Sequence, residues 1–572
     1  QATHPIRTST GMNSVTSAAA LRLRSFAARS IASVVSLGIA MAVPGALQAQ
    51  QVQPAADSLK PTLLVMITVD QLRGDYPDVF RETLSGGLVR LTREGAWFVN
   101  GMQDHANTET APGHSGALSG RLPRSHGIVL NSAGVPDPQS PLIGGGGAGA
   151  SPFRFRGTSF IDWLRVQDDR SRALSVSRKD RGAILPLGRA KQAAFWWVSD
   201  GRFTTSTYYA DTLPDWVKAF NARRSVAAMA GRAWNLLLDE SRYPEPDTVA
   251  AERPGQPVEA YTFPYVLPTD PDSAAQQFAN FPWMDSLTVD LALDGLVAMG
   301  LGEGPQLDLL AVSLSTTDAV GHTFGPDSRE LHDQLIRVDR EIGRFLDSLF
   351  TLRDRNRVVV ALTADHGVSP LPGVASRYPN SQAVRVNLTP TLQPIQDALV
   401  ARGLDRSAFR FGSGELRLNR DAFAAAGVDA DSVVDVVARQ VMEVPGVLRV
   451  DRWSDAASAD TLSDHVARRI LHMYPDDLIP DLVVTLTPYS AWGNATYHQH
   501  GAPHDPDALV PVIFWGAPFA PGRHEQRVRV VDIAPTLAAA LGVEPLERLD
   551  GVVLREALRP EYQARIGGGS GR

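Results

Sequence analysis

Continuous apolar runs that stop at an aspartate recur along this chain, and they constrain its fold more than any other feature. TLLVMITVD (62–70) ends at Asp70, LDLLAVSLSTTD (307–318) at Asp318, and RNRVVVALTADH (355–366) at Asp365 and His366. DLVVTLTP (481–488) and VPVIFWG (510–516) are further runs of this form. A strand with one wet face alternates apolar and polar residues, so runs without alternation read as parallel strands buried on both faces. Between them lie helical patterns. In 328–350, Leu331, Leu335, Val338, Ile342, Phe345 and Leu349 recur at spacings of three or four. Strands alternating with helices predict an α/β protein, a three-layer α/β/α sandwich around a mostly parallel central sheet. Such sheets bind ligands at the carboxyl edge of their strands, where these aspartates stand.

Two regions interrupt the pattern. Residues 243–282 are rich in Pro, Asp and Gln and read as a cap-like excursion beside the core. Residues 382–453 carry FRFGSGELRLN, then DSVVDVVARQVMEV, then GVLRVDRW, which predicts two short strands, a helix and another strand. This is an inserted α+β subdomain, leaving 61–381 and 454–560 as the main domain. The GGGGAG run at 144–149 reads as a loop and not a phosphate cradle, because no strand leads into it.

Near the start, Arg22, Arg24 and Arg29 precede the apolar stretch 31–43, which precedes the small-residue segment PGALQAQ. Basic, apolar and small in that order is the pattern of a signal peptide, so 1–49 is read as leader and signal peptide, cleaved near Ala49. The apolar stretch is shorter than the roughly 20 residues of a membrane crossing, so no anchor is expected after cleavage. The expected location is periplasmic or secreted. The final GGGSGR is read as a tail.

The 572 residues include 55 basic and 62 acidic side chains, a net charge of −7 without long runs of either sign, so a nucleic-acid partner is not expected. A small substrate is, with a monomer favoured. The chain has no cysteine, which excludes thiolate chemistry and leaves His, Asp, Glu or hydroxyl oxygen to hold any metal.

Asp318 and His322 stand four apart, on one face if a helix follows the strand, and Asp365 and His366 are adjacent. With Asp70 and a later histidine they make an oxygen/nitrogen donor set suited to zinc and less obviously to manganese or iron. One aspartate at a strand end is most often a helix cap; three of them with neighbouring histidines exceed what capping explains. In NTETAPGH (107–114), Thr110 stands before Pro112, at the start of a predicted helix whose N–H groups attract phosphate. A capping role suffices for Thr110 by itself. Beside a metal, its hydroxyl ionises more readily.

These segments together resemble the alkaline phosphatase superfamily, specifically its threonine-nucleophile, phosphate-irrepressible alkaline phosphatases, which are related to nucleotide pyrophosphatases/phosphodiesterases. The motifs are TVD at 68–70, TAPGH at 110–114, S-x-K-x-R at 177–181, D-x-x-x-H at 318–322, ADHG at 364–367 and HG at 500–501, with VDIAPTLAAALGV closing the match. The resemblance spans about Pro61 to Leu558. It implies two Zn2+ per chain, one held by Asp318, His322 and His500, the other by Asp70, Thr110, Asp365 and His366. His500 is taken over His498 and His504 because it directly precedes glycine. The resemblance further implies that Thr110 is the nucleophile, passing through a phosphothreonine, and that Asn131, Lys179 and Arg181 meet the phosphoryl oxygens. Lys179 and Arg181, two apart, are expected on one face of an extended segment. Thr108 is expected to be an ordinary loop or cap residue, and His105, His114 and His126 to have packing or loop roles.

A monoester dianion offers more oxygen and charge than a diester, so the Lys/Arg pair points to a small phosphate monoester as substrate. The alternatives are a phosphodiesterase or nucleotide pyrophosphatase of the same superfamily and, in another class, a non-catalytic metal- or phosphate-binding protein. The latter predicts a missing ligand or nucleophile, and none is missing. A sulfatase is disfavoured because Thr110 stands before A-P-G, without the C/S-x-P-x-R context.

Overall fold

A computed structural model of the chain describes residues 60–493 and 495–567. The leader and signal-peptide reading of 1–49 and most of the tail lie outside the described residues. No helix of the described residues is long and apolar enough to cross a membrane.

The apolar runs assemble a nine-stranded sheet. Across it stand Gly522–Arg529, Ala96–Met102, Leu509–Trp515, Val358–Thr363, Leu63–Val69, Asp308–Leu314, Ala173–Ser177, Ala193–Val198 and Arg202–Thr204. Leu63–Val69 lies between Asp308–Leu314 and Val358–Thr363, parallel to both. Every residue of these three strands is buried, which is why none of them alternates. Leu509–Trp515 also joins the sheet, but runs antiparallel to both neighbours. Helices flank the sheet. The longest, Arg329–Leu352, buries the predicted stripe from Leu331 to Leu349, and Ser328 caps it by accepting the Leu331 N–H at 3.1 Å.

One apolar run goes elsewhere. Leu482–Leu486 joins an antiparallel four-stranded sheet with Phe409–Gly412, Glu415–Leu418 and Val447–Asp451, so the small unit draws a strand from beyond the expected boundary at 453. Its own core includes Leu416, Phe423, Val437, Val441 and Leu482, with the Thr389–Ala401 and Ala430–Met442 helices contributing. Without the Leu482–Leu486 strand, Glu415–Leu418 and Val447–Asp451 have nothing between them to pair with.

Within the Pro-rich region, Tyr243 ties the segment to the long helix through a 2.7 Å hydrogen bond from its hydroxyl to buried Asp333, which also accepts from Trp234 Nε1 at 2.6 Å.

Candidate active site

Three adjacent strands deliver the three aspartates. Asp70 directly follows Leu63–Val69; Asp365 and His366 follow Val358–Thr363 by two and three residues. Asp318 stands further on, in the first turn of the Thr316–Phe324 helix, which carries His322 one turn later on the same face. Because the strands are parallel and in register, their carboxyl ends meet at one edge of the sheet.

The donors gather in two groups, Asp318, His322 and His500 in one and Asp70, Asp365 and His366 in the other, each with ligand atoms within 4.8 Å of one another. Nε2 of His322 lies 3.2 Å from Nε2 of His500 and 3.2 Å from Asp318 Oδ1. The rings of His366 and His500 stack at 3.5 Å.

The imidazoles are oriented alike. Nδ1 of His322 donates to the His498 carbonyl at 2.5 Å, Nδ1 of His500 to the Thr108 carbonyl at 2.7 Å, and Nδ1 of His366 to the Gly367 carbonyl at 2.9 Å. A carbonyl only accepts, so each Nδ1 carries a proton and each Nε2 turns toward the carboxylates. Among the described residues neither oxygen of buried Asp70 accepts a hydrogen bond, and its charge is met by Lys179 Nζ at 2.6 Å. Lys179 is also 2.7 Å from Asp318 Oδ2. Three buried carboxylates around one ammonium call for more positive charge. Divalent cations on His and Asp donors fit that demand.

The titration behaviour follows this crowding. Burial and the neighbouring Asp365 carboxylate push Asp70 up to about 6, against Lys179. Burial raises Asp318 as well, but Lys179 and His322 outweigh it and hold the carboxyl well below the usual range. Against burial, Asp318 raises His322, which expresses the same demand for positive charge in protons. Burial, then His366 and His322, hold His500 far below the usual imidazole range.

Thr110 begins the Thr110–Ser119 helix, its hydroxyl 3.2 Å from Lys179 Nζ and 3.4 Å from His366 Nε2. The TAPGH spacing has a steric reason here: a Cβ at Gly113 would lie 2.2 Å from the Asp365 carbonyl oxygen, so only glycine lets the helix approach the aspartate. Asn131 is stapled to the helix start by two bonds. Its Oδ1 accepts from Ala111 N at 2.8 Å, and its own N–H donates to Glu109 Oε2 at 2.6 Å. This leaves its amide Nδ2 for another partner.

Lys179 and Arg181 do not share one extended segment: Lys179 keeps extended backbone directly before the Asp180–Ile184 helix, without a capping bond from its side chain, and Arg181 lies in the first turn of that helix, because the strand has ended at Ser177. They nonetheless line one cleft together with Asp318 and His322.

Four side chains of the site lay outside the sequence reading or carried other roles in it. His114, expected to pack, places Nδ1 3.2 Å from Asp365 Oδ2 and Nε2 2.9 Å from Ser313 Oγ. Its position four residues after Thr110 on a helix was the available signal. Thr108, expected to be an ordinary loop residue, holds His500 through its carbonyl and accepts the Gly501 N–H on its hydroxyl at 3.1 Å. Gln71 bridges two aspartates, donating from N to Asp365 Oδ1 at 3.1 Å and from Nε2 to Asp318 Oδ1 at 3.0 Å, with φ at 69°. Those bonds hold a left-handed backbone that costs a non-glycine residue roughly 1–2 kcal/mol. Glu109 is the fourth. Of the two histidines not taken as ligands, His498 steadies His322 through its carbonyl, and His504 Nε2 lies 2.8 Å from the Leu486 carbonyl.

Residues 64–503 match the type I phosphodiesterase / nucleotide pyrophosphatase family. The chain belongs to that family. Among curated relatives of this family member, alkaline phosphatase PhoV of Synechococcus elongatus is 29% identical, over 87% of this chain and 93% of its own length. Alkaline phosphatase PafA of Elizabethkingia meningoseptica is 28% identical, over 89% and 96%. The crystal structure of PafA superposes with a TM-score of 0.79 at 26% identity, covering 87% of this chain and 99% of that one. Membership of the alkaline phosphatase superfamily, expected from the motifs, is borne out, as is the α/β fold around a mostly parallel sheet.

Proposed function

We propose that this family member is an exported, metal-dependent alkaline phosphatase that hydrolyses small phosphate monoesters through a phosphothreonine at Thr110. The carrying observation is the convergence of the Thr110 hydroxyl, the Lys179 ammonium and two groups of Asp and His donors at one sheet edge. The names of the relatives support a phosphatase, and the basic, apolar, small order of residues 22–50 supports export.

Asp318, His322 and His500 would hold one Zn2+, and Asp70, Thr110, Asp365 and His366 the other. Bound there, the cations favour an ionised Thr110 hydroxyl and offset negative charge developing on the leaving oxygen. Helix geometry fixes Thr110 at the sheet edge, and Gly113 keeps it against Asp365. Thr110 Oγ attacks phosphorus in line; its bond to phosphorus forms as the ester P–O bond breaks and the alcohol departs. Lys179, Arg181 and Asn131 Nδ2 hold the non-bridging oxygens, which is electrostatic stabilisation without further covalent chemistry. Water then displaces Thr110 from phosphorus, releasing inorganic phosphate and restoring the hydroxyl. Two in-line displacements retain configuration.

The family description also favours a second reading, a diesterase. Lys179 and Arg181 discriminate, because a monoester dianion presents three non-bridging oxygens and a diester two. Each charge-assisted hydrogen bond contributes about 1.5–3 kcal/mol, so the Lys179→Ala/Arg181→Ala variant is expected to lose about 10²- to 10⁴-fold in kcat/KM on an aryl phosphate monoester. The matching diester should lose far less. A wild type that prefers the diester overturns the monoesterase reading.

Glu109 carries a smaller prediction. Glu109→Ala removes the acceptor that holds the Asn131 backbone, and kcat/KM on the monoester should fall about tenfold. Glu109→Gln keeps an acceptor oxygen and should recover most of the loss; equal losses in both variants would show that the staple is not what matters.

A further inference from the structure

Two clefts open onto the donor groups, and they differ in charge. One contains Lys179 and Arg181. The other runs outward from His322 and His500 between Leu371 and the small sheet, and among the described residues lining it there is no lysine or arginine. The carboxylates along it are Glu109 and Asp507, the latter buried behind Ser369 and Ala502, which it accepts from. A leaving group carrying a second phosphate or a carboxylate would be repelled there.

This cleft is aromatic. Tyr497 stands at its inner end, its ring edge-to-face with His322 at 5.7 Å, yet 51% exposed. Trp492 and Tyr489 line the same cleft, and Tyr489 holds a left-handed φ of 65°, a strained state for a bulky aromatic residue. An aromatic ring that is half in water beside a ligand histidine offers a face to stack on.

Resting on the monoesterase reading, we infer that this cleft is a leaving-group subsite for an uncharged planar group, a nucleoside or an aryl alcohol, with Tyr497 and Trp492 as its stacking surfaces. The phosphoryl group then lies where the two clefts meet at His322, with Lys179 and Arg181 on one side and Asn131 on the other, while the departing alcohol extends into the aromatic cleft past His500. This orientation matches each end of the substrate to the cleft of fitting chemistry. It makes Tyr497 a specificity determinant supplied by the segment between the small sheet and His500.

The test compares adenosine 5'-monophosphate with glycerol 3-phosphate, both phosphate esters of primary alcohols, so leaving-group reactivity is closely matched and the planar base is the main difference. The full-length enzyme should prefer the nucleotide. Tyr497→Ala and, separately, Trp492→Ala should each raise KM for the nucleotide about tenfold and leave glycerol 3-phosphate within about twofold, as expected for loss of one stacking partner. Tyr497→Phe should retain the preference, and inhibition by inorganic phosphate should be unchanged in all variants. Trp492→Ala guards against a disturbed His322, which Tyr497 touches and Trp492 does not. Equal losses on both substrates, or no loss on the nucleotide, would overturn the subsite alone. Hydrolysis of neither by the wild type would overturn the monoesterase reading and the subsite with it.

Discussion

Thr110→Ala is expected to lower kcat on a phosphate monoester by about 10⁴-fold or more, the scale on which removing a covalent nucleophile acts. The variant should fold. Thr110 is a small buried residue at the first position of its helix, alanine has the highest helix propensity, and the two side chains that meet its hydroxyl, Lys179 and His366, keep other partners in Asp70, Asp318 and the Gly367 carbonyl. Circular dichroism and thermal melting should therefore match wild type while turnover of an aryl phosphate disappears. Thr110→Ser keeps an attacking oxygen and should retain measurable activity. Rapid denaturation of wild type during turnover should leave a phosphoryl group on the peptide containing 107–128, and the alanine variant should leave none. Full monoesterase activity in Thr110→Ala would remove the covalent mechanism.

Dialysis against a chelator should take activity to background, and added Zn2+ should restore it. Metal analysis of the untreated protein should give two ions per chain. Stability should change as well. The donor groups enclose three buried carboxylates, and Asp70 and Asp318 share the single Lys179 ammonium. Removing bound cations exposes that repulsion, and a ligand present at a thousandfold over its dissociation constant stabilises the folded state by about 4 kcal/mol. The chelated protein is thus expected to melt several degrees lower, and Zn2+ to reverse the shift even in Thr110→Ala, where activity cannot report it. An unchanged melting temperature together with undiminished activity after complete metal removal would discard the metal-dependent mechanism.

Much of the site was legible because its signals are local. Asp318 and His322 are four residues apart, Asp365 and His366 are adjacent, and Thr110 stands in a five-residue motif; each pattern is short enough for backbone geometry to imply shared direction. His114 carries the same class of signal, four residues after Thr110 on one helix face, and its contact with Asp365 follows from it. Gln71, Glu109 and Thr108 are different. Gln71 acts on Asp365 and Asp318 across more than 240 residues of chain, and Thr108 on His500 across 392. Nothing near them in sequence marks those partners. The run at 481–488 shows the complementary limit: it was readable as a strand, but an apolar strand satisfies either sheet, and burial is not directional enough to choose.

From its amino-acid sequence alone, this chain determined its layers, its helical stripes, a metal chemistry free of thiolates and the residue types at the sheet edge, because those follow from periodicity, composition and short spacing. Tertiary structure alone decided that the three Asp-bearing strands are neighbours, that Lys179 sits among their carboxylates from the start of a helix, and that a cleft with aromatic walls opens beside His322. Strand order and the packing of distant segments are settled by the free energy of the whole folded chain, and no local stretch of it contains that information.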